Sequence, residues 1–280
     1  MTPSNPAPLG IFDSGVGGLS VLGAIRQAHP NESLIYLADQ AHVPYGPRSL
    51  EEVRAFSKAI TRYLLDQSAK MIVVACNAAS AASLHDLRRT FPNVPFVGME
   101  PAVKPAAEHT HTGVIGVLGT TATFQGALYA SVIERFANGV TVLQDTCPGL
   151  VAQIEAGHLE ADSTRNILEQ ALQPMVGQGI DTIVLGCTHY PFVIPLIQAI
   201  AGPGVRVIDP SPAIARQVGR LLDAHQINAP LDQTGTLRFT TTGDPDQFES
   251  LLPTLTSISA PVESLYWENG QIRHSSKEHP

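Results

Sequence analysis

Short, unbroken apolar runs separated by amphipathic stretches constrain this chain more than any other feature. The runs are Leu9–Phe12, Leu34–Ala38, Met71–Ala75, Val94–Val97, Val114–Leu118, Val140–Leu143, Thr182–Leu185 and Val205–Ile208. They do not alternate apolar with polar residues, which is the pattern of strands covered on both faces, as in parallel sheets. Helical patterns lie between them at Leu19–Ala28, Ala82–Arg89, Phe124–Phe136, Thr164–Met175, Ile194–Ile200 and Ala213–Ala224. The clearest helix starts at Ser49, which stands three residues before Glu52 in capping-box spacing. It continues through Val53, Phe56, Ile60, Tyr63 and Leu64, an apolar stripe on one face. Strand–helix alternation of this kind predicts a doubly wound α/β fold. At 280 residues the chain holds one large domain or two smaller ones. Proline-marked crossings are expected near Met99–Ala102 and Asp209–Pro212. Late strands at Thr236–Thr242 and Val262–Trp267 flank a short helix near Asp246–Leu252, and a frayed tail is expected from Ser275.

Composition removes several function classes. A hydrophobic share of 44% excludes a disordered chain. Lys and Arg number 17 against 25 Asp and Glu, a net charge of −8, which argues against nucleic acid as the main partner. Three cysteines without C-x-x-C spacing argue against a disulfide framework and a structural zinc site. The first residues lack the basic-then-apolar pattern of a signal peptide, and no apolar run nears the ~18 residues of a membrane span. The expectation is a cytoplasmic protein with reduced thiols and no membrane partner.

The scarce cysteines are placed suggestively. Met71–Asn77 (MIVVACN) echoes Thr182–Thr188 (TIVLGCT): each is a buried strand ending in a small residue, then cysteine, then a polar residue. Strand C-terminal ends are where open α/β sheets place ligands. A thiol with a reference pKa of ~8.5, tunable by helix N-termini and nearby cations, can be thiol and thiolate by turns. Cys76 and Cys187 facing one small substrate could therefore remove a proton from one face and donate one to the other. Cys147, before Pro148, gets no role and reads as core packing.

Four motifs surround this idea. Asp13-Ser14-Gly15-Val16-Gly17-Gly18 joins a strand to a helix, and its backbone N–H groups suit a carboxylate; Asp13 and Ser14 serve equally as helix caps. It is neither a dinucleotide fingerprint, since Ser20 stands where the third glycine belongs, nor a phosphate-binding P-loop. Val43-Pro44-Tyr45-Gly46-Pro47-Arg48-Ser49 is a stiff loop with one hydroxyl-bearing ring. Cys76-Asn77-Ala78-Ala79-Ser80 and Cys187-Thr188-His189-Tyr190-Pro191 follow the two echoing strands. His189 is near enough in sequence to assist Cys187. Glu155 stands on an apolar segment, either on an exposed helix face or paired with His189. Lys104 lacks any context for a pyridoxal-phosphate Schiff base and reads as a surface lysine.

Taken together and in this order, the four motifs resemble those of the glutamate racemases, from about Gly10 to about Ser211. The resemblance implies interconversion of L- and D-glutamate without a cofactor or metal, supplying D-glutamate for peptidoglycan. It implies two similar doubly wound parallel-sheet α/β domains with the active site in the cleft between them: residues 1–99, residues 100–211, and a segment 212–280 returning to the first. By that likeness Cys76 takes the α-proton of D-glutamate and Cys187 that of L-glutamate, with Asp13, Glu155 and His189 as polar helpers. Asp13, Ser14, Tyr45, Gly46, Asn77, Ala78, Thr120, Thr123, Thr188 and His189 would form the substrate site. Ala78 departs from the family's usual threonine, leaving a backbone N–H but no hydroxyl. A racemase of another amino acid such as aspartate, or a regulatory protein that inhibits DNA gyrase, are the competing readings. A homodimer is a further expectation without a residue pattern behind it.

Overall fold

The computed structural model describes residues 4–275. The tail expected from Ser275 therefore lies, beyond Ser275 itself, outside the described residues. The chain opens as β1 (Leu9–Asp13), α1 (Leu19–Ala28), β2 (Leu34–Ala38), α2 (Leu50–Asp66), β3 (Met71–Val74), α3 (Asn77–Thr90) and β4 (Phe96–Gly98). It continues as α4 (Val103–His109), β5 (Val114–Gly119), α5 (Thr121–Gln125), α6 (Ala127–Phe136), β6 (Thr141–Asp145), α7 (Leu150–Glu155), α8 (Asp162–Gly177), β7 (Thr182–Gly186), α9 (Ile194–Ala201) and β8 (Arg206–Ile208). It ends as α10 (Ser211–His225), β9 (Leu237–Thr241), α11 (Pro245–Leu255), β10 (Val262–Glu268) and β11 (Gln271–His274).

Two sheets form. One runs β11-β10-β9-β2-β1-β3-β4, the other β6-β5-β7-β8. Every pairing is parallel except β10 with β11. The segment β2-β1-β3-β4 has the same winding as β6-β5-β7-β8, so β3 and β7 occupy equivalent places. The echo between the two cysteine motifs is thus an echo of topology. β1, β2, β3 and β7 are buried along their whole length, as unbroken apolar runs require. One apolar cluster reaches from β1 and α1 through α7 and α8 to β7, so the two sheets share a core.

Local chemistry explains the element ends. Ser49 accepts the Glu52 N–H at 3.2 Å while Glu52 accepts the Ser49 N–H at 3.1 Å, closing the capping box of α2. α3 begins at Asn77, five residues ahead of the expected Ala82, because the Cys76 sulfur caps it by accepting the Ala79 N–H at 3.5 Å. The single helix expected over Phe124–Phe136 is instead two, broken at Gly126, whose ψ of 135° is extended. The strand expected over Val94–Val97 begins only at Phe96, since Pro95 has no N–H and lends only its carbonyl, to Ile72. The antiparallel β11 was not expected; it folds back through Asn269-Gly270, both at positive φ, a dipeptide suited to tight hairpins. Among the described residues no helix is long and apolar enough to cross a membrane.

Candidate active site

Loops at the C-terminal ends of equivalent strands face one another across a cleft. Ser14 comes from the loop after β1, Cys76, Asn77 and Ala78 from the end of β3, Thr120 from the end of β5, and Cys187, Thr188 and His189 from the end of β7. Pro44, Tyr45 and Gly46 close it from the loop after β2, and Val151 of α7 adds an apolar wall. The two walls are closely apposed here, leaving an internal free volume of about 20 Å³, little more than one water occupies. The Tyr45–Gly46 loop meets α5, the helix that follows β5: the Ala122 N–H donates to the Gly46 carbonyl at 3.1 Å. A side chain at Gly46 would crowd Thr120, so glycine permits this approach.

The Cys76 wall is anionic in character. Asp13 is fully buried at the end of β1, and its Oδ2 accepts the Gly18 N–H at 2.8 Å. The Thr188 hydroxyl reaches the same oxygen at 3.5 Å. Burial lifts the Asp13 carboxyl above its ordinary range, against the opposing pull of His189 and Cys76. Burial and the Asp13 charge together push the Cys76 thiol well up, with only the Ala79 N–H at the start of α3 acting the other way. Cys76 is therefore a neutral thiol at neutral pH.

The Cys187 wall is built differently. His189 Nδ1 lies 3.7 Å from Cys187 Sγ, and its Nε2 lies 2.5 Å from Glu155 Oε1. Burial disfavours a charged His189, but its bonds to the sulfur and to Glu155 outweigh that and raise it well above its ordinary value. Burial would raise Glu155 too; the bond to His189 and its charge, with the Val16 N–H and Gln40, hold it below the usual range. The pair is ionised at neutral pH, and the imidazolium is the neighbour a developing sulfur anion needs. Glu155 sits on α7 of the second sheet's layer but is held from the first: Oε1 accepts the Val16 N–H at 2.7 Å and Oε2 the Gln40 amide at 3.2 Å. The glycine loop expected to receive a ligand carboxylate thus spends the N–H groups of Val16 and Gly18 on Glu155 and Asp13.

Asn77 is the clearest request for a ligand. Its side chain is buried at the start of α3, and neither Oδ1 nor Nδ2 has a hydrogen-bond partner. Leaving a buried polar group unpaired costs ~1–3 kcal/mol, which a polar ligand in the cleft would recover. Of the residues the sequence singled out, Asp13, Glu155 and Thr123 stand behind the lining, while the others line it. The Thr123 hydroxyl is 3.0 Å from that of Thr120 and donates to the Gly186 carbonyl at 3.3 Å. Cys147 is buried outside the cleft, and burial pushes its thiol up. Lys104 is exposed and lies 3.9 Å from Glu108. Sequence reasoning missed Gln40, which bonds Glu155, and Ser20, whose hydroxyl reaches the Thr188 carbonyl at 3.0 Å. Neither carries a local signal, because each acts on a residue more than a hundred positions away. Among the described residues no group of three or more His, Cys, Asp or Glu is arranged to hold a metal ion.

The chain is similar to known proteins over most of its length. A glutamate racemase of Ectopseudomonas mendocina is 50% identical over 256 residues, which are 91% of this chain and 97% of that one. The crystal structure of Escherichia coli glutamate racemase in complex with L-glutamate and the activator UDP-MurNAc-Ala superposes with a TM-score of 0.81 at 32% identity, covering 93% of this chain and 99% of that one. The crystal structure of the Francisella tularensis enzyme in complex with D-glutamate gives a TM-score of 0.80 at 27% identity, with coverage of 92% and 97%. The model of the Asp/Glu/hydantoin racemases matches residues 19–218, a span that contains both cysteine motifs. The facing thiols and these likenesses agree, and the chain belongs to the Asp/Glu/hydantoin racemase family.

Proposed function

We propose that this protein is a glutamate racemase working by two bases, Cys76 and Cys187, without a cofactor. The observation that carries the reading is that both thiols line one cleft from the ends of topologically equivalent strands. The relatives of about 50% identity bear the same name, and two related structures hold L- and D-glutamate. Substrate carboxylates meet the Asn77 amide, the hydroxyls of Ser14, Thr120 and Thr188, and the N–H groups that open α3. These donors also stabilise the carbanion-like transition state. With L-glutamate, the Cys187 thiolate takes the α-proton and the Cys76 thiol delivers one to the opposite face. With D-glutamate the roles reverse, from the alternative state in which the single proton has moved from Cys76 to Cys187. General acid–base catalysis requires opposite starting protonation states; the carboxylate beside Cys76 favours its thiol form, and His189 Nδ1 lies 3.7 Å from the Cys187 sulfur. Asp13, His189 and Glu155 tune and hold the thiols, and apposition of the two walls excludes water.

The same reading carries a supply of D-glutamate for peptidoglycan and a cytoplasmic location, where thiols stay reduced. It divides the chain at about 99 and 211, with the last segment completing the first domain; the membership of β9–β11 in the first sheet supports this. A homodimer is a separate expectation, and gyrase inhibition is the competing reading of a different class; sedimentation and a supercoiling assay with Cys76→Ser test them. The central test is α-proton exchange in D2O followed by NMR. Both glutamate enantiomers should exchange and interconvert while L-aspartate exchanges far more slowly; no exchange with either glutamate enantiomer would overturn the reading.

A further inference from the structure

Outside the cleft, Asp39, just past β2, is a carboxylate bonded entirely by side chains. It is fully buried, and four side-chain donors from three places in the chain converge on it. Oδ2 accepts the Tyr45 hydroxyl at 2.6 Å and His42 Nδ1 at 3.0 Å. Oδ1 accepts the Thr242 hydroxyl at 2.7 Å and the Trp267 indole N–H at 2.7 Å. Four donors saturate the lone pairs of a carboxylate. Around them the His42 ring stacks on Phe56 with centroids 3.9 Å apart and meets the edge of Trp267 at 4.9 Å. Of these partners only Tyr45 lines the cleft. Burial and the Asp39 charge push the Tyr45 phenol well up, so it remains a donor to that carboxylate.

We propose that Asp39 is a positioning residue: it fixes the Tyr45–Gly46 wall against substrate and ties occupancy of the cleft to Trp267 in the C-terminal hairpin. The proposal rests on the glutamate reading of the site. Its physical basis is that a buried carboxylate must keep its donors. A shift of the Tyr45 ring on ligand binding cannot leave Asp39 unpaired, so the strain passes to the donors on the opposite side. The Gly46 carbonyl, bonded across the cleft to Ala122, links this wall to α5. A purely structural Asp39 would support folding without transmitting anything from the ligand.

Trp267 is the only tryptophan in the chain, so its fluorescence reports this junction alone. D-glutamate is titrated into the full-length protein, with binding followed by calorimetry and by Trp267 emission, alongside racemisation kinetics. The wild type should show an emission change that saturates with calorimetric binding. Asp39→Asn, which keeps the shape but not the charge, should raise KM about tenfold with most of the loss outside kcat, and the emission change should vanish. Tyr45→Phe keeps the ring and removes the bond, so it keeps the test alive if Asp39→Asn fails to fold. It should raise KM similarly and silence Trp267, and the double variant should be no worse than either single one. Wild-type KM in Asp39→Asn, a ligand-induced emission change surviving in Tyr45→Phe, or multiplying effects in the double variant would overturn the proposal while the racemase reading stands. Absence of glutamate binding to the wild type would remove both.

Discussion

The two walls of the cleft carry the same nucleophilic atom in opposite company. Cys76 caps a helix and has a buried carboxylate for a neighbour; Cys187 precedes a short 3₁₀ turn and has an imidazole backed by Glu155. Equivalent strands deliver both sulfurs, so the backbone is nearly symmetric where the electrostatics are not. The difference is functional in kind. Two interacting thiols can share one proton even in identical surroundings, and a two-base reaction needs that one-proton state; unequal neighbours decide which sulfur holds the proton first. Asymmetry in the neighbours breaks the symmetry that the fold creates.

The bluntest way to break the comparison is to remove a sulfur. Cys76→Ala and Cys187→Ala should each lower racemisation by more than about a thousandfold, while Cys147→Ala changes it by less than about twofold. Circular dichroism at glutamate's absorption edge measures turnover, and a near-wild-type rate in either of the first two would sink the two-base scheme.

A subtler change sharpens it by weakening one wall at a time. His189→Asn and Glu155→Gln should lower kcat by about a hundredfold and raise the α-deuterium isotope effect with L-glutamate, the enantiomer that the proposed scheme gives to Cys187. Asp13→Asn should do the same with D-glutamate. Gln40→Met, which lets go of Glu155 from the first sheet, should resemble Glu155→Gln at about a tenth of its effect. Isotope effects that rise equally for both enantiomers would show that these residues do not belong to separate walls.

The smallest effect is on stability and depends on pH. Glu155 is held below its ordinary 4.5, so its contribution is complete above that pH and lost as pH falls through its lower folded value. His189 is raised above its ordinary 6.5, so its contribution is complete below that pH and lost as pH rises through the raised value. Their pair is worth most between these limits. Breaking a partly buried pair costs about 3 kcal/mol. Urea titrations should therefore find Glu155→Gln less stable than wild type by about that much near pH 6, with the gap closing towards pH 3. A gap that is constant with pH would mean that Glu155 contributes packing and no charge.

Much of this was legible in the sequence because it is local. Apolar runs of strand length, the Ser49–Glu52 capping box and the recurrence of strand-small-Cys depend on neighbours a few positions apart, and short-range sterics and hydrogen bonds decide them. Gly126 and Pro95 shifted element ends by equally local rules that the apolar pattern alone had overridden. The hairpin at Asn269-Gly270 was also local, its turn chemistry plain but unread.

What the sequence by itself determined, then, is a doubly wound α/β chain with two cysteines at matching strand ends and polar residues beside them. Only the tertiary structure decided what each residue faces. It put Glu155 on His189 rather than in solvent, filled the glycine loop with protein carboxylates, left Asn77 without a partner, and gathered His42, Tyr45, Thr242 and Trp267 onto Asp39. The physical reason is that the preferences of a buried charge are set by whatever is packed within a few ångströms of it. Those neighbours come from anywhere in the chain, so no window of sequence contains them.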